Sequence, residues 1–161
     1  MSNQRFLYCF DTSALIDGWR RYFPPDVLRS LWDQKIPELI ATDRIKAPDY
    51  VLLEIAQRSD ELHAWVQARQ QIFVPTIAKI QRRVSHIINT YPDFLQERSS
   101  NGLWADPYVI ALAQEQNRTV VTYERLKDRN ARRLKIPDVC NALGVEWMDL
   151  LGLMRREGWI F

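Results

Sequence analysis

Cysteine is scarce. Cys9 and Cys140 are the 2 cysteines in 161 residues, too few for a disulfide framework and too far apart for a CxxC metal pair. A reduced, cytoplasmic setting fits that usage. Histidine is equally rare: His63 and His86 stand alone on amphipathic segments without ligand spacing, so they are expected at the surface. No secretory leader is expected, because the first apolar run is cut short by Asp11. No stretch approaches the length of a membrane span. Strong charge of either sign is missing too, since the net charge is +2, and local distribution must decide about nucleic acid. Repeats, low-complexity tracts and linker-like segments are absent, so residues 1–161 read as a single domain, long enough to bury a core without disulfides.

Against these absences stands Arg5 to Asp17, RFLYCFDTSALID. Phe6 to Phe10 is an unbroken apolar run that predicts a strand buried on both faces. Asp11-Thr12-Ser13 follows at once, and Ala14, Leu15 and Ile16 resume a helical pattern with Thr12 or Ser13 as the expected N-cap. An acid at the carboxyl end of a first buried strand sits where open α/β sheets bind their ligands. It is also an ordinary strand-to-helix cap, so the rest of the chain must decide.

Further along, Val27, Leu28, Leu31 and Trp32 recur at helical spacing, and Pro37 is expected to kink or split that helix. Arg44 to Pro48 reads as a second strand, with Asp49 capping the helix that carries Glu54. Ile72 to Pro75 is a brief extended segment. Thr76 is the expected cap of a long helix with Ile77, Ile80, Val84, Ile87, Ile88 and Tyr91 on one stripe. Ser99 to Gly102 is a loop signal, and Asp106-Pro107 is expected to cap a helix apolar nearly all round. Thr119 to Tyr123 is a β-branched strand running into Glu124. Arg125, Lys127, Arg129, Arg132, Arg133 and Lys135 form a basic run read as an exposed loop. A helix from Ile136 to Gly144, a last strand and a final helix follow, with Trp159 to Phe161 folding back as an apolar lid. Strands separated by helices predict an α/β fold, a three-layer α/β/α sandwich around a mostly parallel central sheet.

In such a sheet the carboxyl ends of the strands share one edge, so Asp11, Glu124, Asp106 and Glu54 can converge there. Clustered carboxylates repel and raise one another's pKa values unless a cation compensates them. Oxygen ligands without His or Cys select Mg²⁺ or Mn²⁺, which supports metal-dependent phosphodiester hydrolysis. No GxSxG elbow supports Ser13 as a hydrolase nucleophile. Ser13 also occupies the place where a haloacid-dehalogenase-like phosphatase needs a second Asp.

Phe10-Asp11-Thr12-Ser13, Glu54, Ala105-Asp106 with Val109 to Ala113, and Val120 to Glu124 resemble, in order, the four motifs of PIN-domain nucleases. With Ile136-Pro137-Asp138-Val139-Cys140 the resemblance is to a toxin-like branch whose relatives include the VapC toxins, ribonucleases encoded beside an antitoxin. The resemblance implies a PIN-like fold and a metal-dependent endoribonuclease acting on RNA. It also implies an antitoxin partner and a homodimer. Asp11, Glu54 and Asp106 are by that resemblance the metal-binding acids, with Ser13 the hydroxyl beside the first. The fourth position, usually Asp, is here Glu124, and Asp128 or Asp138 can substitute. Arg125, Arg132 and Arg133 are candidate phosphate contacts, and Trp104 either stacks a base or fills a hydrophobic gap. The alternative to the enzyme is a non-catalytic PIN-like module that binds RNA or an antitoxin and uses its acids as caps.

Overall fold

The computed structural model describes residues 5–58, 60–94 and 104–161; the loop signal at Ser99 to Gly102 lies outside them. Five short strands form the sheet: β1 (Tyr8–Phe10), β2 (Ile45–Pro48), β3 (Phe73–Val74), β4 (Thr119–Val121) and β5 (Trp147–Met148). All pair in parallel in the order β3-β2-β1-β4-β5. The first strand is therefore central, with Tyr8 opposite Ile45 on one side and Thr119 on the other. Tyr8, Cys9 and Phe10 are fully buried, the outcome expected of an apolar strand covered on both faces.

Helices α1 (Thr12–Asp17), α2 (Ile36–Ala41), α3 (Asp49–Ile55), α4 (Glu61–Gln67), α5 (Ala78–Thr90), α6 (Asp106–Gln116), α7 (Ile136–Leu143) and α8 (Leu150–Arg156) complete the three layers. The α6 helix packs on β1, β2 and β4, with α5 and α7 against it. Its residues Val109 to Ala113 are buried, as a helix apolar on all sides requires. On α5, Ile80, Val84 and Ile87 are the buried part of the stripe, whereas Ile77 is exposed.

Three of the tryptophans make one cluster. Trp32 meets Trp19 edge-on at 5.0 Å and Trp65 at 5.5 Å, and its indole N–H donates to Phe23 O at 2.6 Å. The turn after α1 approaches this cluster through Gly18, where an added Cβ would lie 3.1 Å from Leu150 Cδ2 and 3.4 Å from the Trp32 ring. Pro37 interrupts the regular helix, in keeping with the expected kink or split, and stands in the first turn of α2. A wider π-helical turn at Leu31–Lys35 precedes it, with Ile36 N–H bonded to Leu31 O, so the missing proline N–H is absorbed by a change of pitch.

Two caps form that the sequence pattern did not mark out: His63 N–H donates to Asp60 Oδ1 at 3.0 Å and Gly152 N–H to Asp149 Oδ1 at 2.8 Å. Beyond α1, three expected caps do not form. Asp49 and Asp106 lie one residue inside their helices, and Ile77, not Thr76, precedes α5; none of the three cap residues donates or accepts through its side chain. Nor do the last residues form a lid. Gly158 turns the chain at φ 67°, Trp159 packs on the core and Ile160 is 90% exposed.

Candidate active site

Because every strand runs the same way, the residues that follow β1, β4 and β5 emerge at one edge of the sheet. Asp11 leaves β1 in an extended conformation and is itself the N-cap of α1, accepting from Thr12 N–H at 2.7 Å through Oδ1. Thr12 and Ser13, the expected caps, are inside the helix. Asp11 Oδ2 accepts from the Ser13 hydroxyl at 2.7 Å and from the Thr122 hydroxyl at 2.9 Å. Each hydroxyl also accepts a backbone donor from the far strand: Ser13 from Tyr123 N–H at 2.9 Å, Thr122 from Glu124 N–H at 3.0 Å. Both thus have fixed proton directions, and together they lock the ends of β1 and β4 around one carboxylate that is only 3% exposed.

Glu54, near the end of α3, accepts from Ala105 N–H at 2.8 Å and ties that helix to the start of α6. Asp106 is the first residue of α6; its carboxylate is not spent on a cap, and the neighbouring Trp104 indole N–H is buried without an acceptor. Glu124 lies three residues beyond the last residue of β4, further out than expected from the sequence. One of its carboxylate oxygens, Oε2, accepts from Ile136 N–H at 3.1 Å.

Electrostatically these acids behave as one group. Burial, then the charges of Asp11, Glu124 and Glu54, push Asp106 well above the usual carboxylate range. Glu124 is raised by burial and by Asp11, against the pull of the Ile136 N–H, Lys135 and Arg133. Glu54 is raised by burial, with a contribution from Asp11. Asp11 is raised by burial, opposed by Ser13, Thr122 and Thr12. The buried thiol of Cys140 feels the same field and is pushed up, by burial first and then by Asp11 and Glu124.

The substitutes for Glu124 are occupied or remote. Asp138 accepts from Lys135 N–H at 2.8 Å and Lys127 N–H at 3.1 Å, bracing the basic loop, and Asp128 is exposed. Within that loop Arg125 and Arg133 are exposed, whereas Arg132 Nε pairs with Asp93 at 3.0 Å. A cavity of about 370 Å³ opens beside Glu124, lined by Thr122, Tyr123, Arg125, Trp147 and Asp149. Trp104 packs on buried Phe94 at 5.5 Å, a gap-filling contact. His63 and His86 lie on α4 and α5, away from the acids, and His86 is exposed.

Among the described residues no three His, Cys, Asp or Glu side chains converge closely enough to enclose one ion. A divalent ion here would be held by one or two of the carboxylates, with water completing its shell, as Mg²⁺ typically is. The donor set is entirely oxygen: Asp106, the second oxygens of Glu54 and Glu124, and the remaining lone pair of Asp11 Oδ1, which accepts one hydrogen bond, can contribute.

Nothing in the local pattern singles out Thr122, which reads as interior to a strand. The available signal was a hydroxyl at the carboxyl end of the strand expected beside β1. Thr122→Val leaves Glu124 N–H without its acceptor and Asp11 with one hydroxyl fewer. It is expected to cost about 1–2 kcal/mol in urea unfolding and to slow any carboxylate-dependent chemistry about tenfold.

The architecture is that of the PIN-like α/β/α class. A family model described as domain of unknown function (DUF4411) matches residues 8–161, and the chain belongs to that family. Among solved structures, the crystal structure of VapBC2 from Rickettsia felis bound to a DNA fragment from their promoter contains a similar chain. The TM-score is 0.52 at 12% identity, over 89% of this chain and 98% of that one. At that identity the likeness concerns the fold, and at that level the resemblance to PIN domains is borne out. No curated protein matches the sequence. No helix among the described residues is long and apolar enough to cross a membrane.

Proposed function

We propose that this chain is a Mg²⁺- or Mn²⁺-dependent endoribonuclease, a single domain over residues 1–161 that acts as the cytoplasmic toxin of a toxin–antitoxin pair. The observation that carries the reading is the placement of four carboxylates at the carboxyl edge of the sheet: Asp11 caps α1, Asp106 opens α6, Glu54 ties α3 to α6 and Glu124 accepts from Ile136 N–H, with burial and the charge of Asp11 raising the other three. Four acids raised by burial, three of them also by the charge of Asp11, are an electrostatic cost that a divalent cation would offset. The likeness of fold to a chain of a VapBC2 complex supports the antitoxin partner, and the resemblance to VapC toxins supports a homodimer.

Asp11 and Asp106 would be the principal metal ligands, with Glu54 and Glu124 completing the set. A bound divalent ion lowers the pKa of a water molecule and offsets charge on the phosphoryl oxygens. The protein supplies position. Thr12 N–H, Ser13 and Thr122 hold the Asp11 carboxylate in one orientation, Ala105 N–H holds Glu54, and Ile136 N–H holds Glu124. Arg133 and Lys135, whose charges reach Glu124, draw the phosphodiester toward the acids, and the adjoining cavity of about 370 Å³, lined by Tyr123, Arg125 and Trp147, is where the substrate would lie.

Cleavage of a defined RNA panel with Mn²⁺, by wild type and by Asp11→Asn, tests the reading. Loss of cleavage in the variant supports it. Absence of cleavage by wild type together with no Mn²⁺-dependent rise in melting temperature would leave a non-catalytic binding module. Within the basic loop, Arg133→Ala is expected to weaken RNA binding several-fold and to reduce the salt slope by about 0.7. Arg132→Ala has the smaller effect, because its guanidinium is engaged with Asp93. Titrations at several salt concentrations separate the two.

A further inference from the structure

The opposite edge of the sheet, where the strands begin, carries a groove unrelated to the carboxylates. A cavity of about 640 Å³ lies there, lined among others by Arg5, Arg118, Glu146 and Arg156. A second, of about 620 Å³, lies along α5 against Lys79, Arg82 and His86. The two share Arg83, Gln114 and Leu143, so they adjoin along α5 and are taken together as one groove. On α5, Lys79, Arg82, Arg83 and His86 recur at i, i+3, i+4 and i+7, which places them on one face, away from the buried Ile80, Val84 and Ile87.

Part of this charge is structural. Arg83 pairs with Glu115 at 2.6 Å, Arg156 pairs with Glu146, and Arg118 donates to the carbonyls of Asp43 and Arg44. Arginines beside the ends of α6 and α7 also complement the negative helix termini. Neither role covers Lys79 and Arg82. Both are exposed on the first half of α5, and neither pairs with a carboxylate within bonding distance among the described residues. Glu115, an acid beside them, is held below its usual range by the Arg83 bond first, then by the charges of Arg83, Lys79 and Arg82.

We propose that this groove is a second nucleic-acid contact, binding the phosphate backbone of an RNA strand at the edge of the sheet remote from the acids. Cations one helical turn apart are separated by about 5–6 Å, comparable with successive phosphates along a strand. With one face of the Phe6 ring taken by the Arg156 guanidinium at 4.9 Å, the regular spacing of the cations favours a phosphate backbone over an acidic peptide. The contact carries no base readout and is therefore sequence-independent.

The test is fluorescence anisotropy with a labelled single-stranded RNA of about 30 nucleotides, in EDTA so that no cleavage intervenes. Lys79→Ala/Arg82→Ala is expected to weaken binding about 5- to 10-fold and to lower the salt slope by about 1.4, two contacts' worth. Arg29→Ala, which removes an exposed cation outside the groove, should bind as wild type in the same assay, so that a located contact is separated from a general loss of positive charge, and EDTA keeps the result independent of the cleavage reading. Lys79→Glu/Arg82→Glu should weaken binding further. Unchanged affinity and slope in both double variants, with the melting temperature preserved, would overturn the proposal. So would competition by polyglutamate as effective as unlabelled RNA at equal charge.

Discussion

Asp11→Asn is expected to reduce metal-dependent RNA cleavage more than about 100-fold while leaving the fold intact. The size of the effect follows from position. Asp11 is the acid whose charge reaches Asp106, Glu54 and Glu124, and it is oriented by Thr12 N–H, Ser13 and Thr122. The amide keeps an oxygen for Thr12 N–H. Where Oδ2 stood it presents an N–H₂, toward which the Ser13 and Thr122 hydroxyls turn their lone pairs. Packing is thus preserved while the charge that attracts a cation is removed. Gel-based cleavage with Mn²⁺, alongside circular dichroism of both proteins, is the measurement. A variant that cleaves as fast as wild type would remove Asp11 from the mechanism.

Asp106→Asn separates stability from activity. The Asp106 carboxyl is held well above its ordinary range by burial and by three neighbouring acids. Above the ordinary range of an unfolded aspartate and below the raised value, the native state holds more protons than the unfolded one. Metal-free stability therefore falls as pH rises through that window, and the whole cost is present once the group is ionised in both states. Removing the charge should raise the metal-free melting temperature at neutral pH by on the order of 5 °C, equivalent to about 1–2 kcal/mol. On the acid side of the window the two proteins should converge. Mn²⁺ should stabilise the wild type and have much less effect on the variant, because a ligand stabilises only the state that binds it. Thermal melts in EDTA from acid to neutral pH, repeated with Mn²⁺, measure both. An Asp106→Asn protein less stable than wild type in EDTA at neutral pH would mean that the ionised carboxylate is stabilised by the protein itself.

Much of the layered fold is written in local pattern. Tyr8 to Phe10 is apolar on both sides of the chain and becomes the central strand; Val109 to Ala113 is apolar all round and becomes the buried helix. Where sequence reasoning failed, a choice depended on a single backbone torsion or on a distant partner. Asp49, Thr76 and Asp106 carry suitable cap chemistry but are displaced by one residue from the cap position. The break at Pro37 is expected, but the change of helical pitch that accommodates it is one that no periodicity announces.

The sequence by itself determined that acids follow buried strands, in an order resembling the PIN motifs, because strand and helix periodicities are properties of neighbouring residues. Only the tertiary structure decided which acids share a field and which are consumed elsewhere. Asp106 is left uncapped beside Asp11, Asp138 is spent on the backbone of Lys127 and Lys135, and Thr122 reaches across from β4 to orient the first carboxylate. The groove on the far edge was hidden for the same reason, since Lys79 and Arg82 join Arg5 and Arg156 only once the sheet has brought their segments together. Coulomb energy and hydrogen bonding depend on separation in space, and parallel strand register, rather than distance along the chain, sets that separation here.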